Sequence, residues 1–159
     1  MQRYDESIAQ FRKVLDLKSN VPVAHAFTAV AYAMKGMHRQ ALAEYDQISD
    51  QDKAVALETQ LIADTLGWIY AVSGRRADAL KIAVEFRQLS THAYVDFYQL
   101  ATIYAGLGEK DEAFRLLEKG YREHSGAMPY LAVDPFWYGL RSDPRYADLL
   151  RRMGLPNPK

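Results

Sequence analysis

Apolar residues recur along this chain with a helical period, and stretches that alternate apolar with polar residues are absent. Ile8, Phe11 and Leu15 fall at i, i+3 and i+7, one stripe of a helix expected over residues 4–17. A second helix is expected over 22–35. Pro22 suits its first turn, where no N–H is needed, and Gly36 suits its left-handed close. Further helices are expected over 39–48, 54–72, 76–89, 93–107 and 110–124. Ala79, Ile82, Ala83 and Phe86 share one face of the fifth of these seven. The polar run Ser49-Asp50-Gln51-Asp52 reads as a break and a capping region, and Ser90-Thr91 as a cap for the 93–107 helix. Turns of two to four residues join the helices in pairs, which makes neighbours antiparallel.

One pattern occurs three times. It runs Ala29-Val30-Ala31-Tyr32, Gly36, Ala41; then Gly67-Trp68-Ile69-Tyr70, Gly74, Ala79; then Ala101-Thr102-Ile103-Tyr104, Gly108, Ala113. Gly74 and Gly108 stand 34 residues apart and Gly36 and Gly74 stand 38 apart, the extra length falling between Ile48 and Gln60. Self-similarity at this period predicts helix pairs stacked into a solenoid, each too thin to bury its apolar face alone.

The pattern resembles the tetratricopeptide repeat, a 34-residue helix-turn-helix. The resemblance covers nearly the whole chain. Small Ala29, Gly67 and Ala101 and their partners Ala41, Ala79 and Ala113 let helices approach, and Tyr32, Tyr70 and Tyr104 fill the space between pairs. His25 and Phe97 stand where the family often has Trp. The inter-repeat proline is replaced by Lys53, Thr91 and Ser125. The fold expected is therefore all-α, a right-handed tetratricopeptide-type solenoid of antiparallel helix pairs with a C-terminal capping helix. Residues 1–125 form the array, with an incomplete repeat over 1–20 and repeats over 22–52, 54–92 and 93–125. Residues 126–159 form an extension with short helices.

The first stripe, Ile8, Phe11 and Leu15, lacks a preceding helix. The pattern predicts either a chain cut from a longer protein or a start that pairs with another copy. In the extension, Asp134-Pro135 and Asp143-Pro144 each place a capping carboxylate before an N1 proline, and Tyr146, Leu149, Leu150 and Met153 form an apolar stripe. This segment resembles the closing segment of bacterial multidomain regulators. In those, tetratricopeptide arrays follow winged-helix, nucleotide-cyclase or Ser/Thr kinase domains.

Composition narrows the function. Lys plus Arg equals Asp plus Glu, 20 against 20, so no basic excess points to nucleic acid or an anionic membrane. With no cysteine, disulfides and thiolate metal sites are ruled out. No apolar run approaches the roughly 20 residues of a membrane span, and no leading apolar stretch marks a signal peptide. A cytoplasmic protein is expected. No phosphate-cradling glycine loop or His-Glu-x-x-His motif occurs, and Gly106-Leu107-Gly108 reads as an interhelical turn. His92 and Asp96 at i, i+4 are too few for a closed metal site. Arg75-Arg76 and Arg151-Arg152 read as solvated pairs, and Glu118 and Arg122 as a surface ion pair. No serine or cysteine nucleophile has a sequence cue beside any of the four histidines, so neither an enzyme nor a cofactor is expected.

What the family likeness implies is binding on the concave face, lined by the first helix of each pair. The residues expected there are Val30, Met34, Leu61, Asp64, Trp68, Tyr98 and Thr102. Lysines and asparagines of the family's carboxylate clamp do not appear. Two readings stand side by side. In one, Trp68 and Tyr98 anchor a partner's peptide or helix, and Trp68→Ala weakens it by about 2 kcal/mol while sparing the fold. In the other, the chain's own Phe136-Trp137-Tyr138 fills the groove, or the groove simply stays narrow and lined by alanine. The alternative function is self-association, a homodimer formed through the open N-terminal helix edge.

Overall fold

A computed structural model describes residues 2–59, 62–89 and 95–158. The described chain is all-α, with no strand among the described residues. Its α-helices are α1 (Gln2–Leu17), α2 (Pro22–Met34), α3 (His38–Tyr45), α4 (Asp50–Thr59), α5 (Ala63–Val72), α6 (Arg76–Leu89), α7 (Phe97–Gly106), α8 (Lys110–Arg122) and α9 (Pro144–Arg152). Two 3₁₀ helices, Met128–Ala132 and Pro135–Leu140, lie between α8 and α9. No described helix is long and apolar enough to cross a membrane.

The thrice-repeated pattern folds into one turn used three times. Gly36, Gly74 and Gly108 take φ of +74°, +77° and +75°, a conformation open to glycine because it has no Cβ. The next residue's N–H then reaches back over the helix end. Met37 donates to the carbonyl of Tyr32 at 2.9 Å, Arg75 to Tyr70 at 2.9 Å and Glu109 to Tyr104 at 3.0 Å. The glycines themselves donate to Ala33, Ala71 and Ala105. This is the Schellman closure, and it accounts for the fixed Tyr-to-Gly spacing. A related closure ends α8, where Ser125 donates to Gly120 at 2.8 Å and His124 takes the left-handed position at φ 56°.

Side-chain size sets how closely the helices pack. Ala29, Ala41, Ala79, Ala101 and Ala113 are fully buried. A Cβ on Gly67 would stand 2.6 Å from Cδ1 of Ile103 and 3.2 Å from Ile82, so its absence brings α5 against both α6 and α7. Tyr32 and Tyr104 are buried, and Tyr70 is half-buried beneath Arg75, whose guanidinium lies 4.4 Å from the ring centre. The core falls into two apolar clusters. One is centred on α2, α3 and α5; the other runs from α6 and α7 to α9.

Several sequence expectations need correction. The helix expected over 54–72 is two helices, α4 and α5, because Ile62 leaves the helical region at φ −140°. The run 49–52 is indeed a cap, and α4 starts within it. The Ser49 hydroxyl accepts the N–H of Asp52 at 3.1 Å, satisfying one backbone donor at the helix start, and donates to that residue's carboxylate at 2.5 Å. The helix expected from 93 begins at Phe97, because Asp96 caps it by accepting the N–H of Tyr98 at 3.0 Å. Val95 therefore precedes the helix, and Ser90, Thr91 and His92 lie outside the described residues. Asp143 caps α9 through the N–H of Arg145, whereas Asp134 makes no such capping bond and Pro135 opens a 3₁₀ helix instead. Glu118 pairs with Arg152 of α9, while Arg122 donates to the Glu118 carbonyl. Arg75 pairs with Asp78 and Arg76 with Glu109, so neither arginine is simply solvated.

Candidate functional site

The α5 sequence places Asp64 and Trp68 one turn apart on the same face. Helix α7 packs on α5 and brings Tyr98 alongside. Gly106, read from the sequence as part of a turn, is the last residue of α7. A Cβ there would stand 2.9 Å from both Trp68 Cδ1 and Ala71 Cβ, so the glycine is what lets α7 close on the indole.

Across this floor lies the 3₁₀ helix Pro135–Leu140. The Phe136 ring sits 4.9 Å from that of Trp68 at an interplanar angle of 60°. The Trp137 ring meets Tyr98 edge-on, with centroids 5.1 Å apart, and its indole N–H donates to the Tyr98 hydroxyl at 2.7 Å. That hydroxyl donates in turn to the carboxylate of Asp134. The Arg141 guanidinium lies over the Tyr138 ring, 4.1 Å from its centre. Phe136 and Trp137 thus touch α5 and α7. Phe136 packs into the first apolar cluster and Trp137 into the second, so one short segment joins the two.

Burial dominates the electrostatics. Asp64 is only 7% exposed, and desolvation pushes its carboxyl up to about 7, with the charges of Asp134 and Asp96 adding to the rise. Burial also raises Asp134, against the opposing hydrogen bond from Tyr98. The Tyr98 phenol is driven far above its ordinary value, first by burial and then by the Asp134 charge. Tyr98 is therefore a neutral hydroxyl that offers one proton and accepts one. Asp96, besides capping α7, accepts the N–H of Ala127 at 3.2 Å and so ties the start of the C-terminal segment to α7.

The expected groove residues fall as follows. Val30, Asp64, Trp68, Tyr98 and Thr102 are buried, and Met34 is half-buried against the first apolar cluster. Leu61 lies outside the described residues. Thr102 donates its hydroxyl to the Gln99 carbonyl at 2.7 Å, a bond within its own helix. Trp68 and Tyr98 are brought together as a floor, and the chain's own segment covers them, the second of the two outcomes that the sequence leaves open. No family model, characterised protein or solved structure matches this chain.

Other features are less suited to a ligand. No group of three or more His, Cys, Asp or Glu among the described residues is placed to hold a metal ion. An open depression of about 650 Å³ at the start of α8 is lined by Glu109, Lys110, Asp111 and Arg145. Both arginines that line it are already paired, Arg145 with Asp111 at 2.8 Å and Asp143 at 2.9 Å, and Arg115 with Glu112 at 2.7 Å. His25 is buried between Glu44, 2.7 Å from its Nδ1, and the Ser19 carbonyl, 3.0 Å from its Nε2, a structural tie between α2 and α3.

Proposed function

We propose that this chain is a non-catalytic protein-interaction module, a right-handed solenoid of tetratricopeptide-type helix pairs, which takes up a peptide or helix on the face shared by α2, α5 and α7. Three features support the reading. The same closed turn recurs after α2, α5 and α7. Helix α2 packs on α5, and α5 on α7, as first helices do in a stack of pairs. Short turns after these helices leave each packed on its successor.

The observation that carries the reading is the covered floor. A segment remote in sequence docks on Trp68 and Tyr98 through ring contacts and a hydroxyl that pairs on both sides. Rigid helices that present aromatic anchors lower the ordering cost of binding such a segment. By its resemblance, the chain belongs in a bacterial regulatory protein acting in the cytoplasm.

Selection of displayed peptides against the full chain tests this. Ligands that bind wild type and lose at least tenfold affinity with Trp68→Phe, at unchanged helical content, support it. Ligands indifferent to Trp68 and Tyr98 count against it.

The second reading, self-association, has its own observation. Phe11 of α1 stacks on Phe27 of α2 with ring centroids 5.7 Å apart, yet Phe27 is 45% exposed and neighbouring Val14 is 43% exposed. Light scattering that shows a dimer in wild type and a monomer in Phe27→Asp favours this reading.

A further inference from the structure

The intramolecular contact describes its own ligand. Tyr98 has one hydroxyl proton and one accessible lone pair in play. It gives the proton to Asp134 and takes the indole proton of Trp137. Trp68 offers a ring face to Phe136. Pro135 fixes φ at the start of the 3₁₀ turn that sets the acid and the indole on the same side. Each recognition element therefore resides in four consecutive residues, Asp134-Pro135-Phe136-Trp137.

Asp134, Pro135 and Phe136 are half-buried and Tyr138 is 51% exposed, whereas Trp137 is fully buried and the flanking Leu131 and Leu140 are held in the core. A partner that lays the same side chains on Trp68 and Tyr98 must therefore first displace the resident indole. Charge limits what else fits. The Asp134 charge adds to the rise at buried Asp64, and the Asp134 carboxylate is held by the Tyr98 proton.

We infer that the floor of α5 and α7 is a recognition site for partner segments of the form Asp-x-Phe-Trp, that Tyr98 is its specificity-determining residue, and that Asp134–Trp137 is the resident occupant with which such a partner competes. This rests on the interaction-module reading above and names its ligand. A tethered occupant acts at an effective concentration of roughly the millimolar range, so an outside segment binds wild type weakly and binds more tightly when the resident one is weakened.

The test uses the full chain carrying Phe136→Ala and Trp137→Ala, with helical content checked by circular dichroism. The probe is a fluorescent peptide with the sequence of residues 131–141, followed by anisotropy. Saturable binding is expected, at least tenfold tighter than to wild type. It should weaken at least tenfold when the peptide carries Phe in place of the indole, and again when Tyr98→Phe is added to the protein. Should the double variant lose its helical content, Asp134→Ala, which removes only the hydroxyl's acceptor, takes its place with the same ordering of affinities expected. An unrelated amphipathic helical peptide is the second probe. If that peptide binds the floor and the 131–141 peptide does not, the ligand assignment falls while the module reading stands. If neither binds a folded variant, both fall.

Discussion

The Phe136 ring lies against Trp68 at 4.9 Å, and so a residue near the C-terminus completes a surface begun by the middle helix of the chain. Gly106 of α7 also closes on Trp68, since a Cβ there would stand 2.9 Å from its Cδ1. At 5% exposure the indole is part of the core. The expectation that Trp68→Ala spares the fold is therefore replaced. Truncation of a buried Trp should cost about 3–5 kcal/mol of stability, read from the urea midpoint. Trp68→Phe, which keeps a ring for Phe136 to meet, should cost clearly less.

Glycine substitutions separate close approach from open space. A Cβ at Gly67 would stand 2.6 and 2.8 Å from the Ile103 side chain, too close without movement of α7. Gly67→Ala should destabilise by about 1–3 kcal/mol despite the roughly 1 kcal/mol by which Ala favours a helix. At Gly139 no atom lies within 4 Å of the added carbon, so Gly139→Ala should leave thermal stability nearly unchanged. Equal effects at the two positions would contradict the packing described.

Asp64 makes stability depend on pH in a defined direction. Its carboxyl titrates near 3.8 when unfolded and is pushed up to about 7 in the fold, so the folded state holds the proton more tightly. The stabilisation is complete below the unfolded value, declines as pH rises from about 4, and is lost by about 7. Asp134, also raised by burial, acts with the same sign. Urea melts between pH 4.5 and 8 should show falling stability for wild type and a flatter profile for Asp64→Asn. A wild-type profile that rises over this range would contradict the burial of Asp64.

The Asp96 cap predicts a coupled loss. Its carboxylate holds the N–H of Tyr98 at the head of α7 and that of Ala127 at the head of the C-terminal segment. Asp96→Ala should cost about 1–2 kcal/mol by the usual effect of a lost cap. It should also raise hydrogen exchange at both amides, whereas Asp143→Ala, which uncaps α9 alone, should leave the Tyr98 amide unchanged.

Local rules made most of the helices legible, because each was bounded by a feature that acts within a few residues. Gly36, Gly74 and Gly108 stop helices by backbone conformation, so α2, α5 and α7 end close to where the sequence places them, and Asp143-Pro144 starts α9. The break at Ile62 was not legible, since nothing near it is a strong helix breaker and the run around it reads as helical throughout. The start of α7 was misplaced for a related reason. Ser90, Thr91 and Asp96 are all capping residue types, and the choice among them depends on Asp96 also reaching Ala127, 31 residues on. Trp68 and Tyr98 were legible as neighbours on one face. Their cover was left open, because Asp134 and Phe136 meet them only through tertiary contacts that no spacing rule encodes. The role of Gly106 is not legible, since a glycine beside another in a turn-like run reads as punctuation, whereas it leaves the space for an indole.

The most direct check of the covered floor is a double-mutant cycle on Trp68 and Phe136, with Trp68→Phe, Phe136→Leu and the pair measured by urea unfolding. Contact between the two rings predicts a coupling energy of about 0.5–1.5 kcal/mol, the range for paired aromatic rings. Strict additivity of the two single changes would mean that the C-terminal segment does not lie on α5, and the account of the site would fail.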